Sequence, residues 1–230
     1  MGDLADAPES VALGLFAPIA RDYERWAKVL SLAQDNRWRQ ELVRGLDVRP
    51  GSRFLDVAAG TGSITRLLSR RGAQVVSVDQ SENMLQHAVR RGATGVLATG
   101  MALPLRSDTF DGVAFGYLLR YVTDVASCMS ELARVVKPGG RIGMLEFGRP
   151  AGWPGVAWRL YTQIGLPMAG TMIGNGWGRV GSFLGRSIDE FHAEYPPEVL
   201  ASIWQASGLT DIGIRRMSLG GGLLMWGTKQ

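Results

Sequence analysis

Residues 55–63, LDVAAGTGS, run from an apolar segment into a glycine-rich turn. The stretch SRFLDVAAG has the composition of a buried strand, and SITRLLSRRG after it is typical of a helix. A phosphate-binding loop would need a lysine after its last glycine, but Gly62 is followed by Ser63 and Ile64. A dinucleotide fingerprint would need a third glycine, where this chain has Thr65. The sequence therefore excludes the first kind of ligand and disfavours the second.

A carboxylate, that of Asp56, stands just ahead of the turn. It would repel a pyrophosphate but attract a cofactor that carries an ammonium or sulfonium group. S-adenosylmethionine carries both, and Gly60 and Gly62 would let the backbone approach its methionine part. Asp79 ends the next predicted strand, where a carboxylate can accept both hydroxyls of an adenosine ribose. Enzymes that bind dinucleotides also place a carboxylate at this strand end, so Asp79 does not distinguish the two cofactors. Asp56 favours S-adenosylmethionine more specifically.

Strands and helices alternate on both sides of this motif. Downstream, AQVVSVDQ, GVLATG, TFDGVAFGY and GRIGMLEFG are predicted strands, and SENMLQHAVRRG and VASCMSELARVV are predicted helices. The helix PPEVLASIWQASG and two final strands within TDIGIRRMSLGGGLLMWGTKQ complete the chain. This alternation predicts an α/β fold with a mostly parallel sheet.

Two segments fall outside the alternation. Residues 10–44 have helical periodicity with interruptions near Pro18 and Ser31, which predicts an N-terminal helical cap. Residues 150–195 crowd Gly, Pro, Trp and Met together and are predicted to be an insertion. Its abundant glycine suggests a mobile, lid-like element. We expect one domain over 1–230, made of a cap (1–48), a cofactor-binding core (49–149), the lid insertion (150–195) and a C-terminal helix with strands (196–230).

Composition narrows the class of protein further. The chain has 230 residues, 25 Lys and Arg against 21 Asp and Glu, and 46% apolar residues. It has no basic stripe with interleaved stacking aromatics, so nucleic acid is not an expected partner. The single cysteine fits a reducing compartment, and the first ten residues, MGDLADAPES, do not form a signal peptide. A cytoplasmic protein is expected.

Several separated motifs resemble those of class I S-adenosylmethionine-dependent methyltransferases. They are LDVAAGTGS, VVSVDQSENML, ALPLRSDTFDGVAFGYLLRYVTD and ELARVVKPGGRIGMLEFGRP. Within that class the chain is most similar to the ubiquinone/menaquinone-biosynthesis C-methyltransferases, because FAPIARDYERWAKVLSLAQDNRWRQ, GLPMAGTMIGN and SFLGRSIDEF also match. The resemblance implies a Rossmann-like fold with a seven-stranded, mostly parallel sheet and helices on both faces.

The resemblance also assigns roles to residues. It implies that Thr61 lies between the motif glycines, that Thr99 and Gly100 replace the family's pair at the adenine, and that Gly116 replaces a serine near the sulfonium. The expected cofactor-binding residues are Asp56, Gly60, Thr61, Gly62, Asp79, Gln80, Thr99, Gly100, Met101 and Gly116, with no metal ligand. Met101, like Met84, either flanks the adenine or fills the core.

The implied reaction is methylation of a ring carbon of a reduced, isoprenoid-bearing quinol through a phenolate. Arg120 is the candidate for favouring the anion, and Tyr121, where the family has asparagine, for binding or relaying a proton. Tyr23 is expected to orient the ring. Alternatively, Arg120 pairs with Asp124 and Tyr23 belongs to the core.

The acceptor stays open at this stage. Tyr121, Thr99 and Gly116 favour an alternative, a C- or O-methyltransferase of aromatic or polyketide-like metabolism. The insertion suits a wall around a lipid tail, a peripheral membrane contact, a homodimer contact or ordinary packing.

Overall fold

A single seven-stranded sheet organises the protein, in a computed structural model that describes residues 8–230. The strands lie in the order β3, β2, β1, β4, β5, β7, β6, and only β7 runs antiparallel to its neighbours. The strands are β1 (Arg53–Val57), β2 (Gln74–Asp79), β3 (Thr94–Leu97), β4 (Phe110–Gly116), β5 (Val136–Phe147), β6 (Leu209–Met217) and β7 (Gly222–Lys229). The predicted Rossmann-like, mostly parallel sheet is confirmed.

Helices cover both faces of the sheet. They are α1 (Pro8–Phe16), α2 (Tyr23–Leu30), α3 (Gln34–Arg44), α4 (Ser63–Ser69), α5 (Glu82–Val89), α6 (Val125–Val135), α7 (Gly152–Leu160), α8 (Leu166–Ile173), α9 (Trp177–Glu194) and α10 (Pro197–Ala206). On one face α6 and α10 supply Met129, Leu132 and Trp204 to the larger apolar core. On the other face, Leu42 of α3 and Ile64 of α4 pack against the sheet. Burial of this extent is the main source of stability for a domain of this size.

The N-terminal segment divides into two parts with different neighbours. The predicted interruptions are present: a 3₁₀ turn at Ala17–Ile19, and a break after Leu30 where Leu32 and Ala33 have φ of 50° and 60°. Beyond this break α3 lies directly on the sheet. Ahead of it, α1 and α2 pack on α9 through a small apolar cluster around Ile19 and Trp177. The N-terminal part is therefore positioned by the insertion.

The insertion is a compact helical layer. Residues 152–173 form one continuous helix, in which the π-helical turn Tyr161–Gly165 joins α7 to α8, and α9 folds back against α8. A Cβ at Gly170 would overlap the carbonyl of Trp177, and one at Gly185 would lie 2.8 Å from the carbonyl oxygen of Thr162. At Gly170 the missing side chain permits close helix packing, and the mobility expected of this glycine-rich segment stays a prediction.

An apolar stripe runs along the exposed side of the 152–173 helix. Its members recur every three or four residues: Trp153, Val156, Leu160, Ile164, Met168 and Met172. Side chains spaced four residues apart drift around an α-helix, because one turn has about 3.6 residues. The π turn is wider and offsets this drift, so the stripe stays on one side of the helix. None of the helices described is long and apolar enough to cross a membrane.

Candidate functional site

Two adjoining cavities lie beyond the carboxyl ends of β1, β2 and β4, where ligands bind in sheets of this kind. The cofactor cavity, as we call the first, is reached by the glycine-rich loop and by Asp79. The second, the apolar cavity, has a volume of about 350 Å³ and lies between the N-terminal helices and the insertion. Phe16, Tyr23 and Tyr117 line both cavities and form the wall between them.

The glycine-rich loop turns sharply from β1 into α4. Ala58, Gly60 and Gly62 have φ of 54°, 56° and 81°, a left-handed conformation that glycine adopts without strain. Gly60 and Thr61 line the cofactor cavity as predicted for the loop, but Gly62 does not. A Cβ at Gly62 would lie 3.0 Å from that of Ala88, so this glycine allows the start of α4 to pack closely on α5.

Asp56 is placed differently from the sequence prediction. Its side chain is fully buried and does not line the cofactor cavity. Oδ2 accepts hydrogen bonds from the backbone N–H of Thr65 at 2.8 Å and from its hydroxyl at 2.6 Å. The prediction that this carboxylate faces the cofactor is therefore wrong: the residue supports the first turn of α4 from below. Burial raises the pKa of Asp56 to about 7, against the opposing effect of these hydrogen bonds.

Asp79 lies at the end of β2 and lines the cofactor cavity. Oδ2 accepts the backbone N–H of Gly60 at 2.7 Å, and Oδ1 accepts that of Ser81 at 2.8 Å. Burial raises the pKa of Asp79, although these hydrogen bonds act in the opposite direction. A carboxylate has about four acceptor positions, and the backbone N–H groups of Gly60, Ser81 and Gln80 use three of them, which leaves capacity for a ligand hydroxyl. Asp79 thus fixes the loop and also presents an acceptor to the cavity.

The remaining predicted residues of this group surround the same space. Gln80, Thr99, Gly100, Met101 and Gly116 all line the cofactor cavity, together with the buried Met84. Two lack a side chain for a packing reason. A Cβ at Gly100 would meet the side chain of Leu118 at 3.1 Å, and one at Gly116 would meet Ile64 at 3.3 Å. Glycine at both positions keeps the cavity wall close to the backbone.

Glu24 on α2 ties the N-terminal helices to the loop. It accepts a hydrogen bond from the hydroxyl of Thr61 at 2.8 Å and forms ion pairs with Arg91 and with Arg66, the latter at 3.3 Å. Partial burial opposes ionisation, but the hydrogen bonds from Arg91 and Thr61 outweigh it and lower the pKa of Glu24. The N-terminal helices beside the cofactor cavity are therefore held to the glycine-rich loop by ion pairs as well as by apolar packing.

The apolar cavity is walled mainly by aromatic and aliphatic side chains, among them Trp38, Phe147, Trp158 and Leu184. Three further lining residues are large, apolar and mostly exposed: Leu32 at 76%, Trp153 at 76% and Leu219 at 74%. We call these three the apolar rim. Because Trp153 also begins the stripe of the 152–173 helix, the cavity and the exposed stripe are continuous.

Arg120 lines the apolar cavity and is ion-paired with Glu146. Nε lies 2.8 Å from Oε1, and both side chains are only 1% exposed. The alternative pairing with Asp124 is wrong, because that carboxylate caps α6 by accepting the N–H groups of Ala126 and Ser127. Glu146 sits on β5, and nothing in the sequence motif around Arg120 signals this partner.

Tyr121 and Tyr23 both contact Phe16, whose ring meets them edge-to-face at centroid distances of 5.6 Å and 6.2 Å. Tyr121 lines the cofactor cavity and lies under the Arg120 guanidinium, 5.0 Å from its ring centroid. Tyr23 lines both cavities and stacks on Trp177. Burial raises the pKa of Tyr23 to about 12 and also raises that of Tyr121. Both phenols are therefore protonated at neutral pH.

A partly buried polar group on α3 was not identified from the sequence. Asp35 accepts a hydrogen bond from the hydroxyl of Tyr117 at 2.7 Å on Oδ1, and its Oδ2 lies 2.8 Å from Nε of Arg39. Asp35 lines the apolar cavity and Arg39 lines the cofactor cavity. The available signal was the i, i+4 pair of opposite charges beside the core residue Trp38.

Neither histidine lines the two cavities. His192 is buried, with Nε2 lying 2.6 Å from the carbonyl oxygen of Phe147. His87 is half-buried on α5. The tyrosines and carboxylates around the shared wall are therefore the titratable groups nearest to both cavities.

Known proteins resemble this chain over nearly its whole length. The model of the ubiE/COQ5 methyltransferase family matches residues 5–229. A ubiquinone/menaquinone biosynthesis C-methyltransferase UbiE from Desulfotalea psychrophila is 36% identical, over 94% of this chain and 89% of the relative. A demethylmenaquinone methyltransferase from Corynebacterium urealyticum is 34% identical, over 96% and 95%. An S-adenosylmethionine-dependent methyltransferase structure from Thermotoga maritima, a possible histamine N-methyltransferase, has a TM-score of 0.67 at 19% identity, covering 95% and 99%.

Proposed function

The chain belongs to the ubiE/COQ5 methyltransferase family, and on this premise we propose that it methylates a ring carbon of a quinol that carries an isoprenoid tail. It is an S-adenosylmethionine-dependent methyltransferase. The observation that carries the choice of acceptor is the apolar cavity, which adjoins the cofactor cavity through a shared wall and opens at the apolar rim.

The residues of the cofactor cavity fit S-adenosylmethionine. Asp79 offers a carboxylate to the ribose hydroxyls, and Thr99 offers a hydroxyl near the methionines Met84 and Met101, which would flank the adenine. At Gly116 the missing side chain leaves the strand end close to the cavity, as a cofactor lying against the backbone requires. When bound, this cofactor supplies a methyl group activated by a sulfonium.

The acceptor must bring an apolar body and an aromatic ring. The apolar cavity buries the tail, because transfer of apolar surface from water contributes about 25 cal/mol per Å². The guanidinium of Arg120 lies in the same wall and favours an anionic oxygen on the ring. Tyr23, at the shared wall, orients the ring toward the cofactor cavity. Tyr121 contributes a phenol to the lining of the cofactor cavity. Orientation of two reactants is a large part of catalysis in methyl transfer.

The test is transfer of labelled methyl from S-adenosylmethionine to reduced acceptors under anaerobic conditions, resolved by mass spectrometry. A short-chain demethylmenaquinol and a demethylated benzoquinol are offered together with a tail-less naphthoquinol. We expect methylation on ring carbon, with a lower KM for the tailed naphthoquinol than for the tail-less one. Cofactor binding without transfer to any quinol would overturn the proposal and support the alternative, an acceptor from aromatic or polyketide-like metabolism.

The proposal includes the place from which the acceptor is collected. The apolar rim and the stripe of the 152–173 helix together present an exposed apolar surface, on which Met172 is 88% exposed. Arg159 is exposed on the same helix, and the whole chain has a net charge of +4. An amphipathic helix with these features binds at the surface of an anionic bilayer. A tail can then pass from the bilayer into the apolar cavity without crossing water.

Sedimentation with vesicles containing anionic lipid tests this surface. Met172→Glu should reduce the bound fraction about tenfold, because it places a charge in the apolar layer. Val199→Glu, at an exposed apolar position on α10, is the matched control and should bind as the wild type does. Equal binding of all three proteins would overturn the membrane contact. A dimer in solution that Met172→Glu dissociates would assign the stripe to a homodimer instead.

A further inference from the structure

We propose that Tyr117 and Asp35 form a proton relay that activates the acceptor: Tyr117 receives the proton of the ring hydroxyl and passes its own proton to Asp35. The inference rests on the proposed function, because it requires an acceptor whose hydroxyl must ionise. It supplies the base that the reaction needs and that neither histidine provides from the walls of the two cavities.

Tyr117 is the first member of the relay because of its position. It directly follows β4 and lines both cavities, so the residue belongs to the wall that acceptor and methyl donor share. Its φ is 59°, a left-handed conformation that is strained for a bulky residue. A backbone hydrogen bond to Leu145 at 2.8 Å and stacking on Phe147, with centroids 4.5 Å apart, hold it there. Such strain persists where the surroundings enforce it, and it is concentrated at active sites.

Asp35 is the second member. Its Oδ1 accepts the Tyr117 hydroxyl at 2.7 Å, and its Oδ2 is held by Arg39 at 2.8 Å. The guanidinium of Arg39 also lies 5.6 Å from the centroid of the Tyr117 ring. When the proton arrives, Asp35 becomes neutral and the negative charge moves to the acceptor oxygen. The proton only moves between groups of this partly buried region, so its total charge does not change, and Arg39 stays beside it as a cation.

The other charged and titratable groups around the relay come from four elements. Tyr23 reaches it from α2, Arg120 from the turn after β4, and Asp56 from β1, where it feels the charge of Arg39. Glu146 on β5 is ion-paired with Arg120. Burial raises the pKa of Tyr117 well above its usual value, and the Asp35 carboxylate raises it further. Tyr117 is therefore protonated and can donate to Asp35 while it accepts from the ring hydroxyl.

Proton transfer to Asp35 and methyl transfer to the ring carbon conserve atoms and charge. The O–H bond of the acceptor breaks, its proton goes to the Tyr117 oxygen, and the Tyr117 proton goes to Asp35. The electron pair left on the acceptor oxygen forms a C=O bond as the ortho ring carbon attacks the methyl carbon. The methyl–sulfur bond breaks with its electron pair remaining on sulfur. The ring carbon then loses its hydrogen as a proton to water, and Asp35 returns its proton through Tyr117 to the oxygen as the ring becomes aromatic again.

Two variants separate a relay from a structural hydrogen bond. Tyr117→Phe keeps the ring and its stacking but removes the hydroxyl, and Asp35→Asn keeps the shape but removes the basic oxygen pair. Each should lower kcat about 10²- to 10⁴-fold, the usual contribution of a positioned base, and leave the Kd for S-adenosylmethionine within about twofold. Tyr195→Phe, which lies outside both cavities, is the matched control and should keep the wild-type rate.

The pH profile provides the decisive readout. Without the relay, the ring hydroxyl must ionise to solvent, so kcat of both variants should rise about tenfold per pH unit between about pH 7 and pH 9. The wild type should change little over this range. An acceptor with a more acidic, fluorinated ring should restore much of the lost rate to the variants.

The activity of the wild type separates failure of the relay from failure of the proposed function. If the wild type methylates no quinol, the acceptor is wrong and the relay falls with it. If the wild type is active and Tyr117→Phe keeps its rate, the relay is wrong while the function stands. If both variants lose rate without the rise with pH and without rescue by the acidic acceptor, the hydrogen bond only positions α3 against β4, and the relay is again overturned.

Discussion

The replacement of Asp79 by asparagine tests the cofactor cavity most directly. The amide keeps the shape of the side chain, but an NH₂ group takes the place of one carboxylate oxygen. Because Oδ2 accepts from Gly60 at 2.7 Å and Oδ1 from Ser81 at 2.8 Å, one of these backbone N–H groups must then face a donor. The free energy of unfolding should fall by about 1–3 kcal/mol, the cost of one buried donor left unpaired.

Affinity for S-adenosylmethionine should fall for a related reason. A hydrogen bond from a ribose hydroxyl to a charged acceptor contributes about 1.5–3 kcal/mol, and the amide of Asp79→Asn retains only one acceptor oxygen. The loop at Gly60 must also be ordered again before the cofactor binds. The loss of about 1.5–3 kcal/mol should therefore raise the Kd about 10- to 150-fold.

Calorimetric titration with S-adenosylmethionine and with S-adenosylhomocysteine measures the change, and thermal melting shows that the variant is folded. The matched control is Asp111→Asn. Asp111 also accepts a backbone N–H, that of Arg53 at 2.7 Å, but it lies outside the cofactor cavity. A folded Asp79→Asn protein with a Kd within threefold of the wild type would refute the reasoning.

Three further predictions concern buried or bridging charges. Burial raises the pKa of Asp56 from 3.8 to about 7, so its contribution to stability is complete below about pH 4 and is lost as the pH rises through about 7. By urea unfolding, wild-type stability relative to Asp56→Asn should fall by about 4 kcal/mol over this window, and a constant difference would contradict the assignment. Glu24→Gln should raise the Kd for S-adenosylmethionine about fivefold by removing the ion pairs with Arg66 and Arg91, because half-exposed ion pairs contribute about 1 kcal/mol. An unchanged Kd would show that these pairs do not couple α2 to cofactor binding. Arg120→Ala should lower the free energy of unfolding by about 3–5 kcal/mol, because it leaves the buried Glu146 unpaired. The double variant Arg120→Met with Glu146→Leu should recover most of this stability but transfer methyl at only about a hundredth of the wild-type rate. A fully active double variant would show that the pair is purely structural.

Periodicity and motif order were sufficient to predict the sheet, because alternating strands and helices restrict how a parallel sheet can be built. They also placed Asp79 at a strand end, while the family resemblance assigned Thr99 to the adenine, and both residues line the cofactor cavity. The direction of Asp56 was missed. A residue in a strand buried on both faces gives no signal of which neighbour it contacts, and here the neighbour is Thr65.

Contacts between side chains that are far apart in the chain could not be predicted from the sequence. Arg120 and Glu146 are separated by 26 residues, and Asp35 and Tyr117 by 82. Spacing rules reach only the neighbours on one helix or one strand, so the i, i+4 contact of Asp35 with Arg39 was readable, whereas its contact with Tyr117 depends on how α3 docks on the sheet.

The wall of Phe16, Tyr23 and Tyr117 that separates the two cavities has a consequence for inhibitor design. Because these residues line both cavities, the cavities adjoin, and a short linker can join an adenosine-like group to an apolar group in one molecule. The second group then binds at a high effective concentration, which typically increases affinity by about 10²- to 10⁴-fold over either group alone. Selectivity would also improve, because other enzymes that bind the nucleoside half need not have an apolar cavity beside it.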